Sequence, residues 1–363
     1  VAEPCPDANR NLHRMSDRML PEVDLSQNLL PPGYPVVTLR HVALLLATWM
    51  LARIAEVVHD LLEATRRNEA EGSAASLPMQ QGEPTLKAGS SVPKQPYTYG
   101  GVQAWTSLEA RNFKVRCGPN YPKYGKKAPS GAALGVVEAI DIFRTERRIS
   151  HSLALGHIAL PPATPGWSET YPEFLVITQM LPVKFNSALM PGKEADGETY
   201  MLMTYVRIPP KLGPGYRSDA EPQNVEQLLV RFLMRADQDP GVAHCWKMLG
   251  LVLNLEEVGK QLPSSIQRLV ARYNGKPVLS RPQHDFHRDP HNRYLQADLN
   301  GHWYNYGART GLSHVIDYSK ILEVGYGYVV ESRKEIELPE VMTCCCRILK
   351  FDLAQAAAFP PKA

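Results

Sequence analysis

Residues 105–131 have the sequence Trp105-Thr-Ser-Leu-Glu-Ala-Arg-Asn-Phe113-Lys-Val-Arg116-Cys-Gly118-Pro-Asn120-Tyr121-Pro-Lys-Tyr-Gly-Lys126-Lys127-Ala-Pro129-Ser-Gly131. From Phe113 onward, apolar and basic side chains alternate, and this period of two predicts a short strand with its basic side chains on one face. Gly118, Pro119 and Asn120 end the strand, because these residue types favour turns. The turn that follows is basic and contains no known catalytic signature. The segment therefore predicts a fold and a surface, not a reaction.

The composition is that of a packed chain without a strong charge bias. Its 363 residues are 44% hydrophobic and 21% charged, which excludes global disorder and allows one large domain or two ordinary ones. The formal net charge is only +3, so no nucleic-acid partner is expected from charge. The six cysteines include the run 344–346 but no C-x-x-C pair. They predict reduced thiols in an intracellular or organellar compartment.

The N-terminal residues 1–104 are predicted to be an arm that carries one helix. Residues 42–52 are apolar and those beyond are amphipathic, which predicts a helix at about 41–67. Its uncharged stretch of about 12 residues is shorter than the roughly 20 that span a bilayer. Candidate partner-binding side chains on this helix are Leu44, Leu45, Trp49, Ile54, Val58 and Leu61. The alternatives for this helix are packing on its own domain or on a partner subunit, lying in the membrane plane, and crossing the membrane. The Gly-, Ser- and Pro-rich residues 68–104 have the composition of a tether.

From residue 105 onward, strands and helices are mixed without a regular βαβ order. Apolar or alternating segments predict strands at 136–143, 174–182, 200–208, 246–255, 294–299, 326–332 and 347–353. Amphipathic segments predict helices at 223–235 and 264–273. This mixture predicts an α+β fold, with a mainly antiparallel sheet and packed helices, over residues 105–353. Residues 354–363 are expected to form a short tail.

Several short motifs follow one another along this domain. They are Trp105, Phe113-Lys-Val-Arg116, Asn120-Tyr121, Lys126-Lys127, Pro129-Ser-Gly131, Cys245-Trp-Lys-Met-Leu-Gly250, Asn274-Gly-Lys-Pro-Val-Leu279, Asn292-Arg-Tyr-Leu-Gln-Ala-Asp298, Ile316-Asp317 with Glu323, and Glu337-Leu-Pro-Glu340. Their order resembles the C-terminal domain of the plant and protist Enhanced Disease Resistance Two family. Two positions depart from that pattern, since Cys117 stands at a glycine and Gln296 at an acidic residue.

The resemblance and the basic turn together predict a non-enzymatic, membrane-peripheral module that binds lipid headgroups or holds a ligand in an apolar pocket of the sheet. The candidate residues for lipid phosphates or an acidic partner surface are Lys114, Arg116, Lys123, Lys126 and Lys127. Basic side chains near an anionic leaflet each contribute about 1 kcal/mol to binding. A solvated surface without a ligand is the alternative. Lipid is the candidate ligand, and no cofactor is predicted. We expect an intracellular, membrane-associated protein, with the chloroplast and the mitochondrion as candidate locations.

Two further functions stay open. The long arm and its apolar helix fit a structural accessory subunit of a large organellar membrane complex, such as a photosynthetic or respiratory one. The histidines His284, His287 and His291 stand among carboxylates and form a candidate zinc or iron site of a metalloenzyme. Because Pro290 interrupts this segment, a polar loop is the alternative interpretation. No nucleophile motif, P-loop or dinucleotide fingerprint accompanies it, so enzymatic activity is not predicted.

Overall fold

The computed structural model describes residues 84–359, with gaps at 168–169, 185–194, 218, 280–282 and 305. The predicted arm helix at about 41–67, its six candidate partner-binding residues and residues 68–83 of the predicted tether lie outside the described residues.

The described residues form strands, a smaller number of helices and short 3-10 turns. The strands are β1 (Leu86–Lys87), β2 (Ala104–Ser107), β3 (Lys114–Arg116), β4 (Lys127–Pro129), β5 (Val136–Thr145), β6 (Ile158–Ala159), β7 (Phe174–Pro182), β8 (Thr199–Arg207), β9 (Trp246–Val252), β10 (Pro277–Leu279), β11 (His284–Arg288), β12 (Tyr294–Asn300), β13 (Glu323–Val330), β14 (Cys344–Leu349) and β15 (Ala357–Ala358). The helices are α1 (Tyr121–Tyr124), α2 (Val225–Arg235), α3 (Pro240–Ala243), α4 (Leu255–Val258), α5 (Ser264–Tyr273) and α6 (Tyr306–Asp317). The 3-10 turns are Ala110–Asn112, Ser152–Leu155, Gly259–Gln261, Gly301–Trp303, Glu335–Glu337 and Leu353–Gln355.

Two sheets organise these elements. The larger sheet has the order β11-β12-β7-β8-β5-β15, and the smaller has the order β10-β9-β13-β14-β2. Neighbouring strands are antiparallel throughout the smaller sheet. In the larger sheet, β12 with β7 and β15 with β5 are parallel pairs, whereas the other pairs are antiparallel. The predicted α+β class with a mainly antiparallel sheet is confirmed.

Both sheets contribute to one hydrophobic core. Leu175 and Ile177 come from β7 of the larger sheet, and Tyr326 and Tyr328 come from β13 of the smaller sheet. The buried Tyr328 hydroxyl accepts a hydrogen bond from the Gln179 side-chain amide at 2.5 Å. Because this polar group finds a partner across the core, its burial leaves no unsatisfied hydroxyl.

The helix α2 covers part of this core with its apolar face. Leu228 and Phe232, four residues apart on the helix, are both buried. The Phe232 ring stacks on Trp246 of β9, with ring centroids 4.8 Å apart. Asn224 caps the helix, since its side chain accepts a hydrogen bond from the Gln227 N–H at 2.9 Å. The predicted helix at 223–235 is therefore confirmed and begins just after this cap.

The interpretation of 284–291 as a polar loop is wrong for residues 284–288, which form a strand, and holds only for the turn at 289–291. His284–Arg288 forms β11 and pairs antiparallel with β12, with His284 opposite Leu299 and Arg288 opposite Leu295. Proline weakens a strand only where its missing N–H belongs to the ladder. Pro290 lies beyond the last paired residue, so the strand forms without it.

The end of the predicted tether packs against the larger sheet. Val92 is fully buried in the core. The Asp141 carboxylate on β5 accepts hydrogen bonds from the backbone N–H groups of Gly89 and Ser91, at 2.7 and 2.8 Å. Gly89 has a φ of +84°, and a Cβ there would lie 2.9 Å from the Cβ of Ala139, so glycine is required. The packed structure thus begins before residue 105.

The described cysteines are buried free thiols. They are Cys117, Cys245, Cys344, Cys345 and Cys346. Burial raises the pKa of Cys345 to about 12, so this thiol stays protonated at neutral pH and is a poor nucleophile. The run 344–346 therefore provides small core residues of β14, which begins three residues before the strand predicted at 347–353.

Candidate functional site

The strand β3, the short helix α1 and the strand β4 form a hairpin, which we call the lysine hairpin (residues 113–130). β3 and β4 pair antiparallel, with Val115 opposite Ala128. Phe113 and Val115 are buried in a cluster on the outer side of the smaller sheet and anchor the hairpin there. The hairpin carries four exposed lysines, Lys114, Lys123, Lys126 and Lys127.

The turn of the lysine hairpin has a defined shape. Asn120 and Gly125 flank α1 in left-handed conformations, with φ of 57° and 59°, which asparagine and glycine tolerate best. The Asn120 N–H donates to Glu335 Oε1 at 2.5 Å, and the Gly125 N–H donates to the Tyr121 carbonyl at 2.7 Å. The lysines on this turn are therefore displayed by a hydrogen-bonded backbone.

The described part of the domain does not neutralise the four lysines. Within the described ranges, none of them lies within ion-pair distance of a carboxylate. The Tyr124 side chain between them is 66% exposed, and the Lys123 ammonium lies 5.2 Å from the centre of its ring. The hairpin is therefore a locally positive surface with one exposed aromatic ring, although the whole chain is nearly neutral.

Arg116, the fifth predicted basic residue, has a different environment. It belongs to a group of charged residues that we call the buried ion cluster (Arg116, Lys247, Glu331 and Glu340). Lys247 and Glu340 are buried, and Arg116 and Glu331 are half-buried. Arg116 forms an ion pair with Glu331, and its Nε lies 3.8 Å from Glu340 Oε1. The Lys247 ammonium lies 3.1 Å from the same oxygen, and the Lys247 and Glu340 side chains are 4% and 2% exposed. Arg116 therefore anchors the base of the hairpin.

The charges of this cluster balance inside the protein. Burial alone lowers the pKa of Arg116, but the charges of Glu331 and Glu340 outweigh it and raise that pKa. Burial lowers the pKa of Lys247, against the effect of the same two carboxylates. Sequence reasoning missed the pairing, although a lysine within an apolar strand, as at Lys247, is a signal that a carboxylate partner is needed.

The three predicted metal ligands do not come together. His284 lies on the face of β11 that carries Phe286, and His287 lies on the opposite face, because residues three apart on a strand alternate sides. His291 is exposed in the turn after β11. Throughout the part of the chain that the structure describes, no group of three or more His, Cys, Asp or Glu side chains is placed to hold a metal ion.

His287 instead belongs to a polar cluster on the outer face of the larger sheet. Its ring stacks on His151, with ring centroids 4.8 Å apart, and its Nε2 lies 3.2 Å from Oδ2 of the buried Asp298. The Ser150 hydroxyl lies 3.1 Å from the same Nε2. A Ser-His-Asp triad needs the hydroxyl and the carboxylate on different ring nitrogens. This arrangement therefore lacks the geometry of a hydrolase triad.

The two stacked imidazoles are expected to titrate apart. Burial opposes the charged form of His287, but the hydrogen bond and charge of Asp298 outweigh it and raise the pKa of His287 above 6.5. Burial and the neighbouring His287 lower the pKa of His151 below 6.5. An NMR titration of the imidazole resonances should place the pKa of His287 above 6.5 and that of His151 below 6.5. Asp298→Asn should lower the pKa of His287. Coincident pKa values, or no change of His287 in Asp298→Asn, would contradict this arrangement.

The raised pKa also fixes the sign of a stability effect. The charged His287–Asp298 pair stabilises the fold fully below the unfolded pKa, near 6.5. That contribution is lost as the pH rises through the raised pKa of His287. His151 has the opposite effect on stability. Its pKa is lower in the folded protein than in the unfolded chain, so protonation of the unfolded chain lowers the stability of the fold as the pH falls.

Comparison with known families places these features in one matched region. A family model described as Protein ENHANCED DISEASE RESISTANCE 2, C-terminal, matches residues 105–352. The match includes the lysine hairpin, the buried ion cluster and the polar cluster around His287. No curated protein and no solved structure matches the chain. Among the described residues, no helix has both the length and the apolar character needed to cross a membrane.

Proposed function

The chain belongs to the family of the Enhanced Disease Resistance 2 C-terminal domain, and from this premise we propose that it is a membrane-peripheral module whose lysine hairpin binds anionic lipid headgroups. Membership in this family is consistent with a non-enzymatic domain. The observation that carries the proposal is the set of four exposed lysines, unpaired within the described structure, on one anchored hairpin.

The chemistry of the hairpin supports contact with an anionic membrane surface. Each lysine near an anionic leaflet contributes about 1 kcal/mol, because its ammonium is attracted to the lipid phosphates and carboxylates. Tyrosine favours the membrane–water interface, since its ring is apolar and its hydroxyl is polar. The Tyr124 side chain is exposed in this way. A second exposed apolar side chain, Ile336 at 52%, follows Glu335, whose carboxylate accepts a hydrogen bond from the Asn120 N–H of the hairpin. The hydrogen-bonded turn loses little conformational entropy when it binds.

Removal of two hairpin lysines is expected to weaken vesicle binding strongly. The full chain carrying Lys126→Ala and Lys127→Ala should bind phosphatidylserine-containing vesicles about 30-fold more weakly than the wild type, which corresponds to about 2 kcal/mol. Vesicle co-sedimentation measures this affinity. The matched control carries Lys211→Ala and Lys320→Ala, which remove the same charge from exposed positions on other segments. The control should bind almost as well as the wild type.

The salt dependence gives a second readout of the same proposal. Because exposed charges are screened beyond about 10 Å at 0.1 M salt, binding should weaken as the ionic strength rises. Equal binding to neutral phosphatidylcholine vesicles, or an equal loss in the control variant, would remove the lysine hairpin as the lipid-binding surface.

A further inference from the structure

A pocket of about 250 Å³ lies beside α2, and its walls combine apolar and charged side chains. Its apolar lining comes from Leu228 and Phe232 of α2, Val242 of α3 and Val330 of β13. All four side chains are buried in the domain core, so this lining is the edge of the core itself. An apolar chain bound here would extend that core.

Three cations also line the pocket, Arg231, Arg333 and Lys334. Arg333 and Lys334 are exposed, whereas Arg231 is half-buried. The Nε of Arg231 is buried and has no hydrogen-bond partner within the described residues. A buried donor without a partner is unfavourable, and an oxygen of a bound anion would satisfy it.

Most carboxylates of the pocket are already engaged elsewhere. Glu331 belongs to the buried ion cluster. Glu337 accepts hydrogen bonds from the backbone N–H groups of Arg333 and Lys334, at 2.6 and 3.0 Å. Asp239 caps α3. The cations of the pocket therefore depend on one further carboxylate for neutralisation.

That carboxylate is Glu221, which bridges two of the cations. Its Oε2 lies 3.1 Å from Arg231 Nη1 and 2.9 Å from Lys334 Nζ. The Glu221 side chain is 55% exposed and precedes the helix α2. Exposed ion pairs of this kind are weak, so a ligand anion with the same charge can take the position of this carboxylate.

We propose that this pocket binds a small amphiphilic anion, a carboxylate or a phosphate ester with a short apolar chain, and that Glu221 occupies the anion position until the ligand displaces it. The apolar chain lies on the lining from α2, α3 and β13, and the anionic group contacts Arg231 and Lys334. The guanidinium of Arg231 suits either anion, because its planar set of donors matches both carboxylate and phosphate oxygens. The volume limits the ligand, since it lies at or below the lower end of ordinary ligand pockets.

Three six-carbon probes test this site in the full chain: hexanoate, hexyl phosphate and 1-hexanol. Methyl NMR follows Leu228, Val242 and Val330, which lie in the apolar lining. At least one of the two anions should shift these resonances saturably, and 1-hexanol at the same concentration should not. The anion that binds more tightly distinguishes a carboxylate ligand from a phosphate ester.

Charge variants then separate the roles of the polar residues. Glu221→Gln should tighten the binding of the anionic probe about two- to fivefold, because it removes the competing carboxylate. Arg231→Gln should weaken it about tenfold or more, because it removes charged hydrogen bonds. Lys334→Gln should also weaken it, and this side chain is 54% exposed, so the variant tests the site even if Arg231→Gln disturbs folding. Lys320→Gln, at an exposed position outside the pocket lining, is the control.

Two results would overturn the proposal. The first is the absence of saturable methyl shifts with both anions in the wild type and in Glu221→Gln. The second is an equal response to 1-hexanol, which would leave the cations without a role. Neither result depends on vesicle binding by the lysine hairpin, so the two proposals fail separately.

Discussion

Glu340→Gln is expected to lower the free energy of unfolding by about 3–5 kcal/mol, because it leaves a buried ammonium without its nearest carboxylate. Glu340 is 2% exposed and lies 3.1 Å from the Lys247 ammonium. It also accepts hydrogen bonds from the backbone N–H groups of Arg116 and Ser332, at 3.2 and 3.1 Å. One side chain thus joins the lysine hairpin, β9 and the segment after β13. Urea denaturation of the full chain measures the loss.

The matched control is Glu257→Gln. Glu257 is also paired with a lysine, 3.5 Å from Lys350 Nζ, but its side chain is 63% exposed. Because exposed ion pairs contribute little, the control should change the free energy of unfolding by less than about 1 kcal/mol. Equal losses in Glu340→Gln and Glu257→Gln would show that the burial of the ion pair does not determine the loss in the free energy of unfolding.

A double variant tests the cause of the loss. Lys247→Met together with Glu340→Gln removes one charge of each sign and leaves Arg116 paired with Glu331. Replacement of both partners of a buried ion pair is often nearly neutral. The double variant should therefore be more stable than Glu340→Gln alone. A double variant that is as unstable as the single one would mean that the unpaired Lys247 charge is not the cause.

Asp141→Asn is expected to lower the free energy of unfolding by about 2–4 kcal/mol, because an amide offers one acceptor oxygen where the carboxylate uses two. Asp141 Oδ2 accepts from the Gly89 N–H, and Oδ1 accepts from the N–H and the hydroxyl of Ser91. Asp141 is fully buried. In the variant, the amide –NH₂ would face one of these donors, and that donor could not bond to water instead. Thermal or urea unfolding measures the global effect.

The same variant has a local signature. Hydrogen exchange should accelerate at Gly89 and Ser91, because their amides lose the acceptor that binds this segment to β5. The matched control is Asp352→Asn, at a partly exposed 3-10 turn where Asp352 accepts from the Ala354 N–H at 3.1 Å. Asparagine caps such turns about as well as aspartate, so the control should stay near wild-type stability. Unchanged exchange at Gly89 in Asp141→Asn would contradict its role as the anchor of this segment.

Local patterns were sufficient for several elements. The strand Phe174–Pro182 and the helix Ser264–Tyr273 have the bounds predicted from apolar runs and helical spacing. The helix Tyr306–Asp317 was not predicted. Its sequence contains Gly307 and Gly311, and glycine lowers helix propensity by about 1 kcal/mol per residue. Whether such a segment forms a helix depends on its packing in the folded domain, which a short stretch of sequence does not specify.

For the candidate site, too, some features follow from the sequence and others only from the tertiary structure. The amino-acid sequence alone determined the family, the α+β class and the basic turn, because motif order, periodicity and turn residues are properties of neighbouring positions. The tertiary structure decided which charges meet: Arg116 joins Glu340 across 224 positions, and His287 joins His151 and Asp298 while His284 turns to the other face. The physical reason is strand register, since the pairing of distant strands sets both the neighbours of a side chain and the face on which it lies.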